Sequence, residues 1–431
     1  MIKNVNIFLI LNKNVKYFHT NCGLLWNLPN YAELDVDYLC NEKNVENIAN
    51  NIINRKGVGN IKAVNELKLK LDNTQPDEKN YETLRNKFYE ELFKIPNKTH
   101  PEVFTYGGKP KLVKNVNSKK EFDFKPREFH EISKRLNLVR TEQLGNVCGN
   151  RSYYLLGEMA ELEQALVSYC LERLIHNKFQ LLSVPDILPR DVVERCGMNT
   201  KGERNQVYAL DPDVYGPDLC LSGTSEIALA GYLTNKLFSE DELPLKLAAV
   251  SRCYRAETSS VSEERGIFRV HEFTKVEMFI VSTPEKSDEA LEDIRILQEE
   301  NFESLGLHFQ VLDMPPHELG AQAYRKYDIE AWMPGRGLYG EISSCSNCTD
   351  FQSRRFGIKY KTREGQVGFV HTLNGTACAV PRLLIALTET EQGNKGTIHI
   401  PHVLQRFMRG KTSIGRQKSV PELKLIKNKK Q

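Results

Sequence analysis

Residues 251–279 read SRCYRAETSSVSEERGIFRVHEFTKVEMF and constrain the fold more than any other stretch. Its ends are rich in β-formers, and Phe268, Val270 and Glu272 recur with period 2. Two antiparallel strands around a polar loop are therefore expected. Such a hairpin puts alternate side chains on one face. Arg255, Glu257, Arg265, Arg269, Phe273 and Glu277 would then bring cations, carboxylates and an aromatic ring towards one ligand. Guanidinium groups suit phosphate because their planar fork donates paired, charge-assisted hydrogen bonds. Phe273 adds a stacking surface for a base. The plainer alternative is a charged hairpin with one solvated face.

At 431 residues, 40% hydrophobic and 27% charged, the chain is long enough for one large domain and a smaller one. That composition reads as soluble and globular. No run of ~20 apolar residues occurs, so no membrane span is expected. The net charge of +3 is unevenly placed: residues 1–20 carry +3 and residues 409–431 carry +7, leaving 21–408 at about −7. Polyanion contacts must therefore be local rather than spread over the whole surface.

The ten cysteines form no disulfide framework, and a reducing compartment is the simpler expectation. Cys345 and Cys348 make a CxxC, but a structural zinc needs four ligands and no second pair exists. No zinc is expected; buried small residues at a strand turn are. At the N-terminus no acid precedes Glu33, and basic, apolar and hydroxyl residues mix as in organelle transit segments. Residues 1–20 are read as a mitochondrial transit segment; a secretory signal and an ordinary cytosolic tail are the alternatives.

Further along, Val45, Ile48, Ile52 and Ile53 mark a short helix ended by Gly57 and Gly59. Ile61, Val64, Leu67 and Leu71, then Leu84, Phe88 and Leu92, predict two helices joined at Asn73–Pro76 into an antiparallel hairpin. Pro96 and Pro101 stiffen the joint that follows, and Lys109–Lys120 reads as a loop. Helices are expected at 126–138, 156–177, 225–236, 286–305 and 380–391. Strands are expected at 246–255, 267–281, 307–314, 338–345 and 367–374. Pro185 within the β-rich 179–188 points to a sheet edge or an interface. The fold class is α+β, a mostly antiparallel sheet with helices on one side. No GxxxxGK[ST] loop occurs, so any nucleotide site is not a P-loop.

RAE, RGIFRVHEF and KVEMF in the first stretch resemble motif 2 of the class II aminoacyl-tRNA synthetases, in the seryl version. Thr224-Ser225-Glu226 resembles that family's TxE loop, and GEISSCSNCTDFQSRR (340–355) one of its signatures. HTLNGTACAVPRLLIALTE (371–389) resembles motif 3, with Arg382 as its arginine, and is close to the animal mitochondrial enzymes. The four motifs occur in the family's order, and the resemblance runs from about Phe124 to Met408.

The resemblance implies activation of L-serine by ATP and transfer to tRNA(Ser), with Mg²⁺ accompanying ATP, in the mitochondrial matrix. It implies that Arg255 and Arg382 are catalytic. Thr224, Ser225, Glu226, Arg255, Glu277, Asn374 and Thr376 would meet serine. Arg255, Ala256, Glu257, Val270, His271, Glu272, Phe273, Glu341, Ile342, Ser343, Ser344 and Arg382 would meet ATP. Glu341 and Ser344 would hold the metal, and Arg265 would meet pyrophosphate or the tRNA end. It also implies a homodimer through the motif 1 region around Pro185.

On this reading residues 21–105 are a truncated helical arm and linker, 106–408 the catalytic domain and 409–431 a basic tail offering phosphate contacts. The short arm departs from the family: ~13 helical residues span only about 20 Å. A non-enzymatic relative that keeps the fold as an interaction or tRNA-binding protein is the alternative. Threonyl and prolyl relatives share a similar core, but the TxE, CSNCTDFQ and NGT wording speaks against them.

Overall fold

The computed structural model describes residues 32–141, 148–201, 205–216, 218–258, 266–394 and 396–421. The expected transit segment and Arg265 lie outside the described residues.

Eight strands form the central sheet. They are β1 (Lys111–Val116), β2 (Gln180–Leu182), β3 (Leu245–Tyr254), β4 (Glu272–Ser282), β5 (Phe309–Asp313), β6 (Arg325–Met333), β7 (Leu338–Asn347) and β8 (His371–Ala379). Their order is β1-β5-β6-β7-β8-β4-β3-β2, antiparallel throughout except the β2–β3 edge pair. The hairpin expected from residues 251–279 is β3–β4, pairing from Leu245–Val281 to Tyr254–Glu272. Phe268 and Val270 precede β4 rather than belonging to it, because the chain turns at Gly266 and enters the ladder only at Glu272.

Two strands differ from expectation. Lys109–Lys120 contains β1, five of whose six residues are exposed. It is held by backbone pairing with β5 and buries almost nothing, so hydropathy gives no sign of it. β6 is absent from the expected set, although it alternates: Tyr327, Ile329, Ala331 and Met333 are buried, while Lys326, Asp328 and Glu330 point the other way.

The helices that matter for the site and the arm are α1 (Val45–Asn54), α2 (Ile61–Asp72), α3 (Tyr81–Phe93), α4 (Phe129–Leu136), α5 (Glu158–His176), α6 (Ser225–Tyr232), α7 (Ser287–Ser304), α8 (Phe351–Phe356) and α9 (Val380–Thr390). In α5, Leu162, Leu166, Tyr169 and Leu174 are buried at helical spacing, as the pattern predicts. They join α7 and α9 against Val276, Met278 and Ile280 on one face of the sheet. The opposite face is covered too. Phe279 and Val281 of β4 bury against Ile227 and Leu229 of α6 and Phe356 of α8, making a second core. The sheet is therefore flanked on both faces, which corrects the one-sided expectation. A third cluster, with Ile48, Ile52, Ile61, Val64, Phe88 and Leu92, holds α1–α3 together.

The joint between arm and sheet is polar and buried. Arg55 donates to Asn97 O at 2.8 Å and to Gly320 O. Burial lowers its guanidinium pKa to about 10. Asn97 Nδ2 donates to Gln322 O and Cys348 O, both at 2.8 Å. These bonds set the position of residues 320–323, which wall the cavity described next.

Residues 409–421 are not a free tail. Ser413–Ile414 pairs with Ile398–His399, Ile414 is fully buried, and Lys411 pairs with Glu158 at 2.7 Å.

Candidate active site

On β4, Phe273, Lys275 and Glu277 share the face that farther along carries Phe279 and Val281. The same face is thus polar at its start and apolar at its end, and a cavity of about 200 Å³ opens over the polar part.

One end of the cavity is lined by the buried Thr224, Glu226, Lys275 and Glu277. Thr224 caps α6 by accepting from Glu226 N at 3.4 Å, and Lys275 Nζ donates to the same hydroxyl at 2.8 Å. Lys275 Nζ lies 2.5 Å from Glu277 Oε2, with side chains 7% and 2% exposed, so each buried charge has its partner. Thr376 Oγ1 donates to Glu277 Oε2 at 3.3 Å. Glu226 receives Gln352 Nε2 at 2.6 Å and Asn374 Nδ2 at 2.9 Å, both on Oε1. Burial, then Glu277, raises its carboxyl pKa to about 7, against Gln352, Lys275 and Asn374. This end offers carboxylates, a cation and hydroxyls together.

The other end is cationic, with Arg255, Arg269, Lys326 and Arg382 in its lining. Arg255 lies over the Phe273 ring at 5.3 Å, a cation–π contact. Arg382, next to Pro381 at the start of α9, pairs with Glu341 at 3.1 Å and covers Phe268 at 4.7 Å. Burial pushes the Glu341 carboxyl up, but Arg382, Lys326 and Arg255 outweigh it and hold the group below its ordinary value. Arg269 lies 3.4 Å from Glu257, and Gln206 donates to Glu257 at 3.3 Å.

Fifteen sequence-predicted residues line this one cavity: Thr224, Glu226, Arg255, Glu257, Arg269, Val270, Phe273, Glu277, Glu341, Ile342, Ser343, Ser344, Asn374, Thr376 and Arg382. Four do not. Ser225 is buried within α6. The Ala256 amide is bound to Gln206 O, and His271 Nδ1 faces Tyr208 Oη at 2.8 Å and Arg255 O at 3.0 Å. Glu272 lies on the opposite face of β4 and pairs with Arg252 at 2.9 Å. Period 2 alone separates Glu272 from Phe273. Ser343 turns its hydroxyl onto Thr376 O and Gln298, away from Ser344.

The cavity also contains Phe268, Lys275 and Lys326, which the sequence reading did not single out. Lys275 sits two residues before Glu277 and two after Phe273, a position that alternation makes visible. Cys345 and Cys348 are buried, and burial raises both thiol pKa values. Among the described residues, no group of three or more His, Cys, Asp or Glu is placed to hold a metal.

The family model for the tRNA synthetase class II core domain (G, H, P, S and T) matches residues 208–391. The mitochondrial serine–tRNA ligase of Bos taurus is 47% identical over 75% of this chain, and the match spans 63% of that protein's length. The serine–tRNA ligase of Dictyoglomus turgidum is 35% identical over 93% of this chain and 97% of its own. Among solved structures, seryl-tRNA synthetase from Pyrococcus horikoshii complexed with ATP superposes with a TM-score of 0.77. It is 29% identical and covers 89% of this chain and 100% of that one.

Proposed function

The chain belongs to the serine–tRNA ligases, class II aminoacyl-tRNA synthetases, and from that premise we propose that it activates L-serine with ATP and esterifies tRNA(Ser). In the first step a serine carboxylate oxygen attacks the α-phosphorus, and pyrophosphate leaves. In the second, a terminal ribose hydroxyl of tRNA attacks the seryl carbonyl and AMP leaves. Neither step requires a dedicated acid or base when placement and charge neutralisation are supplied. A single observation carries the reading: in one cavity the buried Glu226, Lys275 and Glu277 adjoin Arg255, Phe273, Glu341 and Arg382.

In this assignment Phe273 stacks on the adenine, with Val270, Glu257 and Ile342 beside it. Arg255 neutralises the α-phosphate and orients the serine carboxylate, and Arg382 meets the outer phosphates. Glu226 and Thr224 take the amino group; Glu277, Asn374 and Thr376 read the hydroxyl. A site built to pair a hydroxyl rejects alanine, because its buried polar groups would be stranded.

Glu341 and Ser344 fit Mg²⁺, which needs few protein ligands when phosphates supply the rest. The carboxyl is held ionised and its side chain stays 40% exposed. The ion would neutralise phosphate charge. We assign the chain to mitochondria, following the naming of its bovine relative, and to a homodimer through the edge around Pro185. Retention of both ends of the cavity argues against the non-enzymatic alternative. Serine-dependent exchange of labelled pyrophosphate into ATP tests the reading. Absence of exchange with folded protein would reject it.

A further inference from the structure

Gln352 is fully buried in α8 and does not itself line the cavity, yet its amide reaches Glu226, a carboxyl that does. Thr372 Oγ1 donates to Gln352 Oε1 at 2.6 Å, which fixes the amide's orientation and turns Nε2 towards Glu226 Oε1, also at 2.6 Å. Thr372 is itself fully buried and lies on the face of β8 that carries Asn374 and Thr376. Asn374 donates to the same Glu226 oxygen. Oε1 is therefore saturated by two amides, while Oε2 makes no hydrogen bond among the described residues, on a side chain that lines the cavity.

We infer that Gln352 is a positioning residue for substrate recognition. It anchors Oε1 of Glu226 and leaves Oε2 to the ammonium group of the amino-acid substrate, an inference that rests on the serine-activating reading above. The electrostatics agree with the geometry. Glu226 is faced by Glu277 and Lys275 from β4, by the Cys196 thiol and by the Cys348 thiol beyond β7. Burial and Glu277 favour the neutral carboxyl. Gln352 is the largest of the influences favouring the charged form, ahead of Lys275 and Asn374. An ammonium ligand needs the charged form, so affinity for it rises as pH climbs through about 7.

The test is the pH dependence of serine-dependent pyrophosphate exchange in the full chain, compared with Gln352→Met and Thr372→Val. Gln352→Met keeps bulk and removes the donor. The rising limb of kcat/KM for serine should move up by about one pH unit, and serine KM at pH 7 should rise about fivefold. By pH 9 the variant should approach the unsubstituted chain, with ATP KM unchanged throughout. Thr372→Val, nearly isosteric, should shift the limb the same way by less, and it carries the test should Gln352→Met fail to fold. A serine KM raised equally at every pH, or limbs that stay put in the folded variants, would overturn the inference alone. Exchange absent from the unsubstituted chain at every pH would overturn the activation reading and this inference with it.

Discussion

The guanidinium of Arg382 lies 3.1 Å from the Glu341 carboxylate and 4.7 Å over the Phe268 ring. A cation at the start of a helix opposes the macrodipole. Here a carboxylate and an aromatic face compensate, and the side chain is only 14% exposed. On the proposed function the phosphates of ATP would share this cation with Glu341. Arg382→Ala should reduce serine-dependent pyrophosphate exchange by at least about a hundredfold, the scale seen when a preorganised charge donor is lost. Arg382→Lys should recover little, because an ammonium has no planar fork. Exchange within threefold of the unsubstituted chain in Arg382→Ala would remove this arginine from the assignment.

Lys275 and Glu277 form a buried ion pair at 2.5 Å, reinforced by Thr224 and Thr376. Lys275→Met strands the carboxylate, and loss of one partner of a buried pair costs about 3–5 kcal/mol. The urea midpoint should fall accordingly. Lys275→Met combined with Glu277→Gln should restore most of that stability, since no lone charge remains, yet leave serine activation abolished. A double variant as unstable as the single would show that packing, not charge, sets the cost.

Part of this site, the hairpin, was legible because a β-strand displays its functional face at every second position, and the rest was read from the family resemblance. Phe273 and Glu277 follow from that spacing, and Lys275 follows equally once the strand is placed. Glu272 shows the converse: adjacent in sequence, it belongs to the other face and pairs with Arg252. β1 was hidden for a different reason. Leu112 and Val113 are 51% and 42% exposed, so the strand exists through backbone pairing with β5 and leaves no burial pattern to read. The docking of residues 409–421 was masked by their charge. Arg409 and Lys411 find partners on α5, and one buried isoleucine, Ile414, anchors the segment.

Gly340 on β7 packs against the ring that Arg382 covers. A Cβ there would lie 2.7 Å from Met333 Cε and 2.9 Å from Phe268 Cε2. Met333 can yield, but moving Phe268 disturbs the surface under Arg382. Gly340→Ala should cost about 1–3 kcal/mol as overpacking. It should raise the KM for ATP several-fold while leaving the KM for serine unchanged, because the Glu226–Glu277 end is untouched. Steady-state exchange with each substrate varied in turn separates the two effects. Equal rises in both constants would mean that the disturbance is global.

β2 lies at the end of the sheet, paired only with β3 among the described strands, and an unpaired edge is a template for association. Leu181 and Ile187, on either side of Pro185, are 49% and 52% exposed, so apolar surface adjoins the open edge. On the proposed function this edge meets its copy across a two-fold axis, where each contact is made twice. Leu181→Lys with Ile187→Lys would then place four new charges in one interface. Sedimentation should show a dimer for the unsubstituted chain and a monomer for this variant. Pyrophosphate exchange should fall as dimerisation is lost, since loss of the partner frees the β2–β3 edge beside the strand that leads to Arg255. A variant that stays dimeric would place the interface elsewhere, and a monomeric unsubstituted chain would dismiss the dimer itself.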